Sequence, residues 1–276
     1  MVRDAAPGRY GPAMTSALDV LAGSAIAIAV LMFTVWIISV VVRDASIVDI
    51  VWGLGFVVVA WVTFVRADGD PTRRWLLTGM TTIWGLRLST YLAIRNLGHG
   101  EDPRYQAMRR KIGPKFPIVS LVTVFGLQGV LMWVVSLPVQ LGQVRDTSVG
   151  VVGVIGVIVW AIGLGFEAIG DAQLARFKRD PANKGAVMDQ GLWRYTRHPN
   201  YFGDACVWWG LAIVAAESGV GAWGIIGAVV MTVLLRRVSG VTLLERSIGK
   251  RRPGYDEYVR RTSAFIPRPP RREPQA

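Results

Sequence analysis

The chain has 276 residues, of which 52% are hydrophobic and 11 are tryptophan, and its formal net charge is +12. Its mean hydropathy of +0.39 excludes an ordinary soluble domain and indicates a polytopic membrane protein. The single cysteine, Cys206, excludes an internal disulfide, and two histidines, His99 and His198, are too few for a typical structural zinc site. We therefore expect no metal centre.

Apolar segments follow one another along most of the chain. A bilayer core of about 30 Å takes roughly 20 apolar residues per helix, and seven segments approximate that length. They lie near residues 16–42, 47–66, 73–94, 117–139, 147–170, 201–216 and 219–237. The sequence thus predicts an all-α fold, a bundle of seven transmembrane helices.

Basic residues are concentrated in three segments, with six in 95–115, six in 176–197 and eleven in 236–272. Seven spans place these segments on one side, so the positive-inside rule predicts an N-terminus outside and a C-terminus in the cytoplasm. Membrane orientation and anionic lipid explain most of this charge, and no nucleic-acid recognition motif accompanies it. The preference for Arg, Ala, Val and Gly suggests a bacterial cytoplasmic membrane.

One integral membrane domain is predicted over residues 1–270, because no repeat or linker divides the chain. The first apolar stretch lacks a cleavage site and is taken as a retained span. The Pro- and charge-rich sequence from Ile266 is predicted to be disordered, with 271–276 as a tail outside the domain. Before it, Tyr255 and Tyr258 among many cations favour an interfacial amphipathic helix or turn, and a mere anchor remains an alternative.

Five ionisable residues fall within or beside the apolar segments, where a charge costs at least about 2.5 kcal/mol and tends to face a partner or a cavity. They are Asp49, Arg87, Glu167, Asp171 and Asp204. Glu167 and Asp171 are four residues apart on one helical face, and Arg87 and Tyr91 share another. An ion pair that closes the bundle and a substrate site both remain open.

The segment GLWRYTRHPNYFGDACVWWG, residues 191–210, brings cations and aromatic rings to the start of an apolar helix. Pro199 suits a first helical turn, so the helix is predicted to begin near Asn200 with its unpaired N–H groups facing these side chains. Such a helix end attracts anions, phosphate above all. The side chains are Arg194, Tyr195, Arg197, His198, Asn200 and Tyr201.

A literal G-x-G-x-x-G occurs at Gly219, Gly221 and Gly224. A dinucleotide fingerprint needs a preceding strand, a following helix and an acidic residue about 20 positions on. Here the glycines lie in a short connection between apolar spans and are better explained by tight turning and close helix packing. We therefore reject a Rossmann site.

Several motifs carry a resemblance to a known family. They are SIVDIVWGLGF at 46–56, EDPRY at 101–105, the run Glu167, Asp171, Gln173 and Phe177, the segment 191–210, and SGVTLLE at 239–245 ahead of YDEYVRRTSAFIPRPP. From about residue 43 to 270 the chain resembles bacterial membrane proteins of the DUF1295 type. These are grouped with the steroid 5-alpha-reductase family and the sterol reductases.

This resemblance implies a seven-helix bundle that binds NADPH from the cytosol and reduces a carbon-carbon double bond, usually one conjugated to a carbonyl. The expected substrate is lipid-like, such as a steroid, a polyprenoid or a fatty acyl chain. The expected cofactor contacts, joined by the neighbouring Arg194, are Glu167, Asp171, Lys178, Tyr195, Arg197, His198, Asn200, Tyr201 and Asp204. In the C-terminal segment, Glu245, Arg246, Tyr255 and Tyr258 look like the part that closes over the nucleotide.

The same resemblance gives the expected catalytic residues. Steroid reductases hold the substrate carbonyl with an acidic residue in the second span and a tyrosine in the third, and Asp49 and Tyr91 are the candidates by location. The sequence has VDIVWG where those enzymes have a Gln-Glu pair. The match therefore does not single out a steroid as the substrate.

Two other functions fit parts of the pattern. Membrane methyltransferases of the isoprenylcysteine and phospholipid types carry an RHPxYxG-like segment and bind S-adenosylmethionine, but usually show a Glu-Glu pair where this chain has Glu245 and Arg246. An arginine in place of the second glutamate of that pair favours a cofactor with phosphates. A transporter would use the interior charges as an ion path, but paired broken helices in repeated halves are missing.

Overall fold

A computed structural model describes residues 16–238, 240, 241, 245 and 253–271. Within these ranges the regular structure is helical, and β pairing is limited to one isolated bridge between Thr196 and Ser263. The helices are α1 (Ala17–Val42), α2 (Ile47–Arg66), α3 (Pro71–Asn96), α4 (Pro103–Val135), α5 (Leu137–Leu141), α6 (Val151–Arg179), α7 (Pro199–Ala216), α8 (Val220–Val238) and α9 (Tyr255–Arg261). The all-α prediction is confirmed for this part of the chain.

Five of these helices, α1, α2, α4, α6 and α8, are long and apolar enough to cross a membrane. Helices α3 and α7 occupy the positions of the predicted third and sixth spans but are less apolar. Helix α3 carries four arginines, including Arg87, and α7 opens its 18 residues with the polar Asn200 and Tyr201. Both of these helices contribute polar side chains to the interior, where they meet Glu167 and Asp171 of α6.

Helix ends follow their capping residues. Ser16 and Asp19 form a capping box at the start of α1, with Asp19 N donating to Ser16 Oγ at 3.1 Å. Asp102 accepts a hydrogen bond from Arg104 N at 2.9 Å, directly before Pro103. Because this cap starts α4 at Pro103, the helix begins within the basic segment 95–115, well before the predicted 117.

The segment from Ile266 corrects the prediction of disorder, because residues 266–271 lie against the rest of the protein. Arg268 N donates to the carbonyl oxygen of Tyr195 at 3.0 Å, and Arg271 N donates to that of Arg261 at 2.9 Å. Residues 272–276 of the predicted tail lie outside the described residues. Backbone pairing thus offsets the unfavourable composition.

Glycines spaced seven residues apart let α6 and α7 pack with their backbones in contact. A Cβ on Gly163 would lie 2.6 Å from the carbonyl oxygen of Gly203, and one on Gly156 would lie 2.8 Å from that of Gly210. Helices α2 and α3 meet in the same way, since a Cβ on Gly53 would lie 2.4 Å from the carbonyl oxygen of Gly85. These approaches bring the polar side chains of neighbouring helices together.

The rejected glycine motif serves turning and packing. Gly219 has a φ of 72°, which favours glycine, and ends the connection from α7. A Cβ on Gly221 would lie 2.1 Å from the carbonyl oxygen of Ala215. No strand precedes the motif in the described part of the chain, as the rejection of a Rossmann site requires.

Replacing Gly203 with alanine is expected to destabilise the protein by about 1–3 kcal/mol, because the new Cβ would overlap backbone atoms that cannot rotate away. It would lie 2.5 Å from the carbonyl oxygen of Gly163 and 2.6 Å from the backbone nitrogen of Glu167. Thermal unfolding of the detergent-solubilised protein measures the change. Gly165→Ala is the matched control, since its Cβ would meet no atom within 4 Å. Equal melting temperatures of the two variants would contradict the packing argument.

Candidate functional site

Two carboxylates of α6 are held by one arginine of α3 inside the bundle. Arg87 donates from Nη1 to Asp171 Oδ2 at 3.0 Å and from Nη2 to Glu167 Oε1. Glu167 and Asp171 are 3% and 4% exposed, so this is a buried ion-pair cluster. The structure thereby brings together the two helical faces that the sequence singled out.

Each of these carboxylates also accepts a hydrogen bond from a neutral side chain. Trp84 Nε1 donates to Glu167 Oε2 at 2.9 Å, and Asn200 Nδ2 donates to Asp171 Oδ1 at 3.2 Å. Charged groups in an apolar interior are stable only with such additional partners. We call Arg87, Glu167, Asp171, Asn200 and Asp204 the carboxylate cluster.

Asp204 follows Asn200 by one turn of α7 and interacts electrostatically with Arg87 and Asp171. Its Oδ1 is buried without a hydrogen bond of ordinary length among the described residues, as are Arg87 Nε and the indole nitrogen of Trp208, which interacts with the Asp204 carboxyl. Buried polar atoms are rarely left unpaired. The cluster therefore has one unsatisfied acceptor and one unsatisfied donor. No group of three or more His, Cys, Asp or Glu in the described ranges is arranged as a metal site.

Three large aromatic rings pack beside the carboxylate cluster. Phe56 and Trp208 have ring centroids 4.6 Å apart, and Trp84 and Trp208 have centroids 5.2 Å apart. All three side chains are fully buried. They exclude water from one side of the cluster, which strengthens the electrostatic interactions within it.

Asp49, a predicted catalytic residue, lies at the start of α2 in a hydrogen-bond chain with α4. Tyr105 Oη donates to Asp49 Oδ1 at 2.8 Å, and Arg104 Nη2 donates to Asp49 Oδ2 at 2.6 Å. Gln128 Nε2 in turn donates to Tyr105 Oη at 3.2 Å. Both oxygens of Asp49 are thus occupied by side chains of α4.

Tyr91, the other predicted catalytic residue, is half-buried one turn after Arg87, with the Arg95 guanidinium 5.9 Å from its ring centroid. It interacts electrostatically with Asp171. Tyr201 interacts with Asp171 and Asp204 and also with the arginines at positions 95 and 104. No hydrogen bond joins Asp49 to Tyr91 in the described part of the chain.

The start of α7 agrees with the sequence prediction. Pro199 is its first residue and His198 its N-cap. The rings of His198 and Tyr201 stack with centroids 5.4 Å apart at 11°. Tyr201 N donates to Asn200 Oδ1 at 3.1 Å, so one N–H of this helix end is already paired.

Arg197 and His198 bind Glu245, and we call these three residues the C-terminal latch. Arg197 Nε donates to Glu245 Oε1 at 2.8 Å and Arg197 Nη2 to Glu245 Oε2 at 3.1 Å, while His198 Nε2 lies 3.1 Å from Glu245 Oε1. Arg197 Nη1 also donates to the carbonyl oxygens of Val259 at 3.1 Å and Thr262 at 2.5 Å. Every terminal nitrogen of this arginine is thus engaged within the protein.

The electrostatics of the latch favour an ionised Glu245. Partial burial opposes ionisation, but the hydrogen bonds and charges of His198 and Arg197 outweigh it and lower the pKa of Glu245 to about 2. The carboxylate therefore stays charged at any pH above that range. Through its ion pair, the latch connects the turn before α7 to the C-terminal segment.

Further hydrogen bonds dock residues 255–271 onto the same turn. Arg197 N donates to the carbonyl oxygen of Ser263 at 2.8 Å, and Thr196 Oγ1 donates to that of Phe265 at 2.9 Å. Tyr258, buried to 3% exposure, donates from its hydroxyl to the carbonyl oxygen of Trp193. The C-terminal segment thus forms a cap beside the start of α7.

The remaining predicted cofactor residues lie apart from the cluster. Lys178 and Tyr195 are exposed, Tyr255 is buried in the cap, and Arg194 lines a surface cavity. Arg246 lies outside the described residues. Their roles toward a cofactor stay predictions.

The sequence patterns did not single out three residues that build the site, and they gave no specific partner for a fourth. Arg104 and Tyr105 lie in the EDPRY motif, but nothing in the sequence pairs them with Asp49. Trp208 looks like any apolar residue of α7, and Arg87 was placed in the interior without a partner. Only the packing of α3 against α6 and of α4 against α2 reveals these contacts.

Membrane-length helices around a buried charged cluster define the class, an all-helical integral membrane protein. The sequence model of the family described as "Protein of unknown function (DUF1295)" matches residues 35–262. The chain therefore belongs to the DUF1295 family, which confirms the resemblance at that level. No curated protein and no solved structure matches it.

Proposed function

We propose that this protein is an NADPH-dependent membrane reductase that transfers hydride to a carbon-carbon double bond of a lipid-like substrate. The unsatisfied pair of atoms in the carboxylate cluster carries the proposal. Asp204 Oδ1 can accept a hydrogen bond and Arg87 Nε can donate one. The carboxamide of nicotinamide offers both an N–H donor and a carbonyl acceptor, so it complements this pair.

The charge of the carboxylate cluster also suits a nicotinamide cofactor. Three carboxyl groups surround one guanidinium, and such an excess of acid favours a positive charge nearby. NADPH, when bound, supplies a hydride and leaves a positively charged ring. Asp204 and Arg87 would orient that ring, while the aromatic side chains of Phe56, Trp84 and Trp208 keep water away.

The predicted catalytic residues have roles on the substrate side. Hydride addition to an enone builds negative charge on the carbonyl oxygen, and a nearby hydroxyl or acid stabilises it. Tyr91 would donate its hydroxyl hydrogen bond to that oxygen. Asp49, whose oxygens accept hydrogen bonds from Tyr105 and Arg104, would first take up a proton from water and then supply it to the substrate.

The proposed topology has seven spans, with α3 and α7 added to the five apolar helices. Arg87 of α3 then pairs with α6, and Asn200 of α7 donates to α6, instead of facing lipid. The N-terminus lies outside and the basic segments, including the C-terminal cap, lie in the cytoplasm of a bacterium. A cytosolic nucleotide would reach the cluster from that side.

A methyltransferase is the second candidate, and one observation favours it. The acidic excess of the carboxylate cluster would suit the sulfonium cation of S-adenosylmethionine as well as a nicotinamide ring. The cluster alone therefore does not separate the two cofactors. We prefer NADPH because the sequence motifs resemble those of the reductases.

Thermal unfolding with each cofactor separates these candidates. NADPH at 100 times its dissociation constant should stabilise the detergent-solubilised protein by about 2.7 kcal/mol, and S-adenosylmethionine should have no effect. Asp204→Asn should weaken NADPH binding, because an amide in place of the carboxylate removes the charge of its acceptor. Asp49→Asn should keep NADPH binding but lose NADPH oxidation with enone lipids. Stabilisation by S-adenosylmethionine alone would overturn the reductase proposal.

A further inference from the structure

A separate cavity of about 670 Å³ lies between the turn at 189–194, helix α9 and residues 270 and 271. It shares no lining residue with the carboxylate cluster or the C-terminal latch. Sites for small molecules have volumes of about 300–1,000 Å³. The cavity is therefore large enough for a phosphate group with an organic group attached.

Charged side chains line this cavity unequally. Arg261 forms an ion pair with Asp189 and lies 3.8 Å from Glu257, so it already partners the two acidic groups. Arg194 and Arg271 also line the cavity, and both are exposed and make no ion pair within the described part of the chain. Two guanidinium groups are thus left for a ligand.

The backbone that carries these two arginines is fixed by hydrogen bonds. Trp193 Nε1 donates to the carbonyl oxygen of Gly170 at 3.0 Å, which anchors the turn before Arg194. Arg271 N donates to the carbonyl oxygen of Arg261 at 2.9 Å, which holds residue 271 against α9. A site built on fixed backbone loses less entropy when it binds.

We propose that this cavity binds a phosphate-bearing anion through Arg194 and Arg271. Planar guanidinium groups match phosphate oxygens with two parallel hydrogen bonds, and two arginines from different segments can hold one phosphate. The phosphate can belong to a soluble molecule or to a phospholipid headgroup, because both present the same oxygens. The site lies apart from the carboxylate cluster, and it assigns Arg194 to this anion instead of to the NADPH contact predicted from the sequence.

Inorganic pyrophosphate is the soluble probe, added to the full-length protein in detergent at constant ionic strength. A saturating concentration should raise the melting temperature by about 5 °C. Arg194→Gln/Arg271→Gln should weaken the apparent affinity at least tenfold, since charge-assisted hydrogen bonds are lost. Arg110→Gln/Arg179→Gln removes the same charge from exposed positions outside the cavity and should keep the affinity.

Nanodiscs distinguish the two sources of phosphate. If phosphatidylglycerol stabilises the wild type more than phosphatidylcholine does, and the cavity variant loses that difference, the ligand is a headgroup. Asp204→Asn should retain either effect, because it changes only the interior cluster. Absence of both effects in the wild type, equal losses in the two double variants, or loss in Asp204→Asn would overturn the proposal. None of these results depends on whether NADPH binds.

Discussion

Replacing Arg87 with alanine is expected to destabilise the protein by about 3–5 kcal/mol, the largest effect of any single change considered. The substitution leaves Glu167 and Asp171 buried without the guanidinium that both carboxylates bind. The side chain of Arg87 is 20% exposed, so solvent replaces the lost charge only in part. Unfolding of the purified protein, followed by heat or by denaturant, measures the loss.

A compensating substitution tests whether the loss is electrostatic. Glu167→Gln in the Arg87→Ala background removes one of the two unpaired charges and should recover part of the stability. Arg110→Ala is the matched control, since this exposed arginine should change stability by less than about 0.5 kcal/mol. If Arg87→Ala unfolds like the wild type, the ion-pair cluster does not stabilise the bundle.

Replacing Arg197 with alanine is expected to release the C-terminal cap. The change deprives Glu245 of its guanidinium and leaves the carbonyl oxygens of Val259 and Thr262 without this donor. Breaking such a partly buried network costs several kcal/mol, here concentrated in one segment. Limited proteolysis should therefore cut residues 253–271 much faster in Arg197→Ala than in the wild type.

Acidification should release the cap in the wild type as well. The pKa of Glu245 is lowered from 4.5 to about 2, so its contribution to stability is fully present above pH 4.5 and falls as the pH drops toward 2. Glu245→Gln should show faster proteolysis at neutral pH and little further change over this window. Asp256→Asn, at an exposed position of α9, should behave like the wild type. A cap that is cleaved equally in Glu245→Gln and Asp256→Asn would contradict the role of the latch.

The sequence predicted the helices well because apolar runs of membrane length have few alternative structures. The boundary of α4 was missed because Pro103 and the cations after it resemble a loop, whereas Asp102 caps a helix there. Disorder from Ile266 was predicted from composition, which does not register the backbone pairing of Arg268 with Tyr195. The local sequence pattern therefore predicts where helices occur, but it does not predict the contacts that determine where they begin and end.

For the site, the sequence predicted which residues share one face of a helix, but not which helices contact each other. Spacing placed Glu167 and Asp171 on one face of α6, and burial cost predicted that they face a partner. It did not identify Arg87 as that partner, because the two segments lie 80 residues apart. The contact of Asp49 with Tyr105 spans 56 residues and has no local signal. Arg197 was predicted to contact a cofactor because of its residue type, whereas the folded protein uses it to bind Glu245.

The glycine contacts have a consequence for motion. Where Gly53 meets Gly85 and Gly163 meets Gly203, backbone touches backbone, so the helices cannot slide past each other without displacing main-chain atoms. We therefore expect α2 to stay with α3, and α6 to stay with α7, in any opening of the bundle. Side chains of α3 bond to the other pair of helices: Arg87 and Trp84 bind α6, and Arg73 binds α7. Any separation of the two pairs of helices would therefore break the ion pairs of Arg87 that stabilise the bundle.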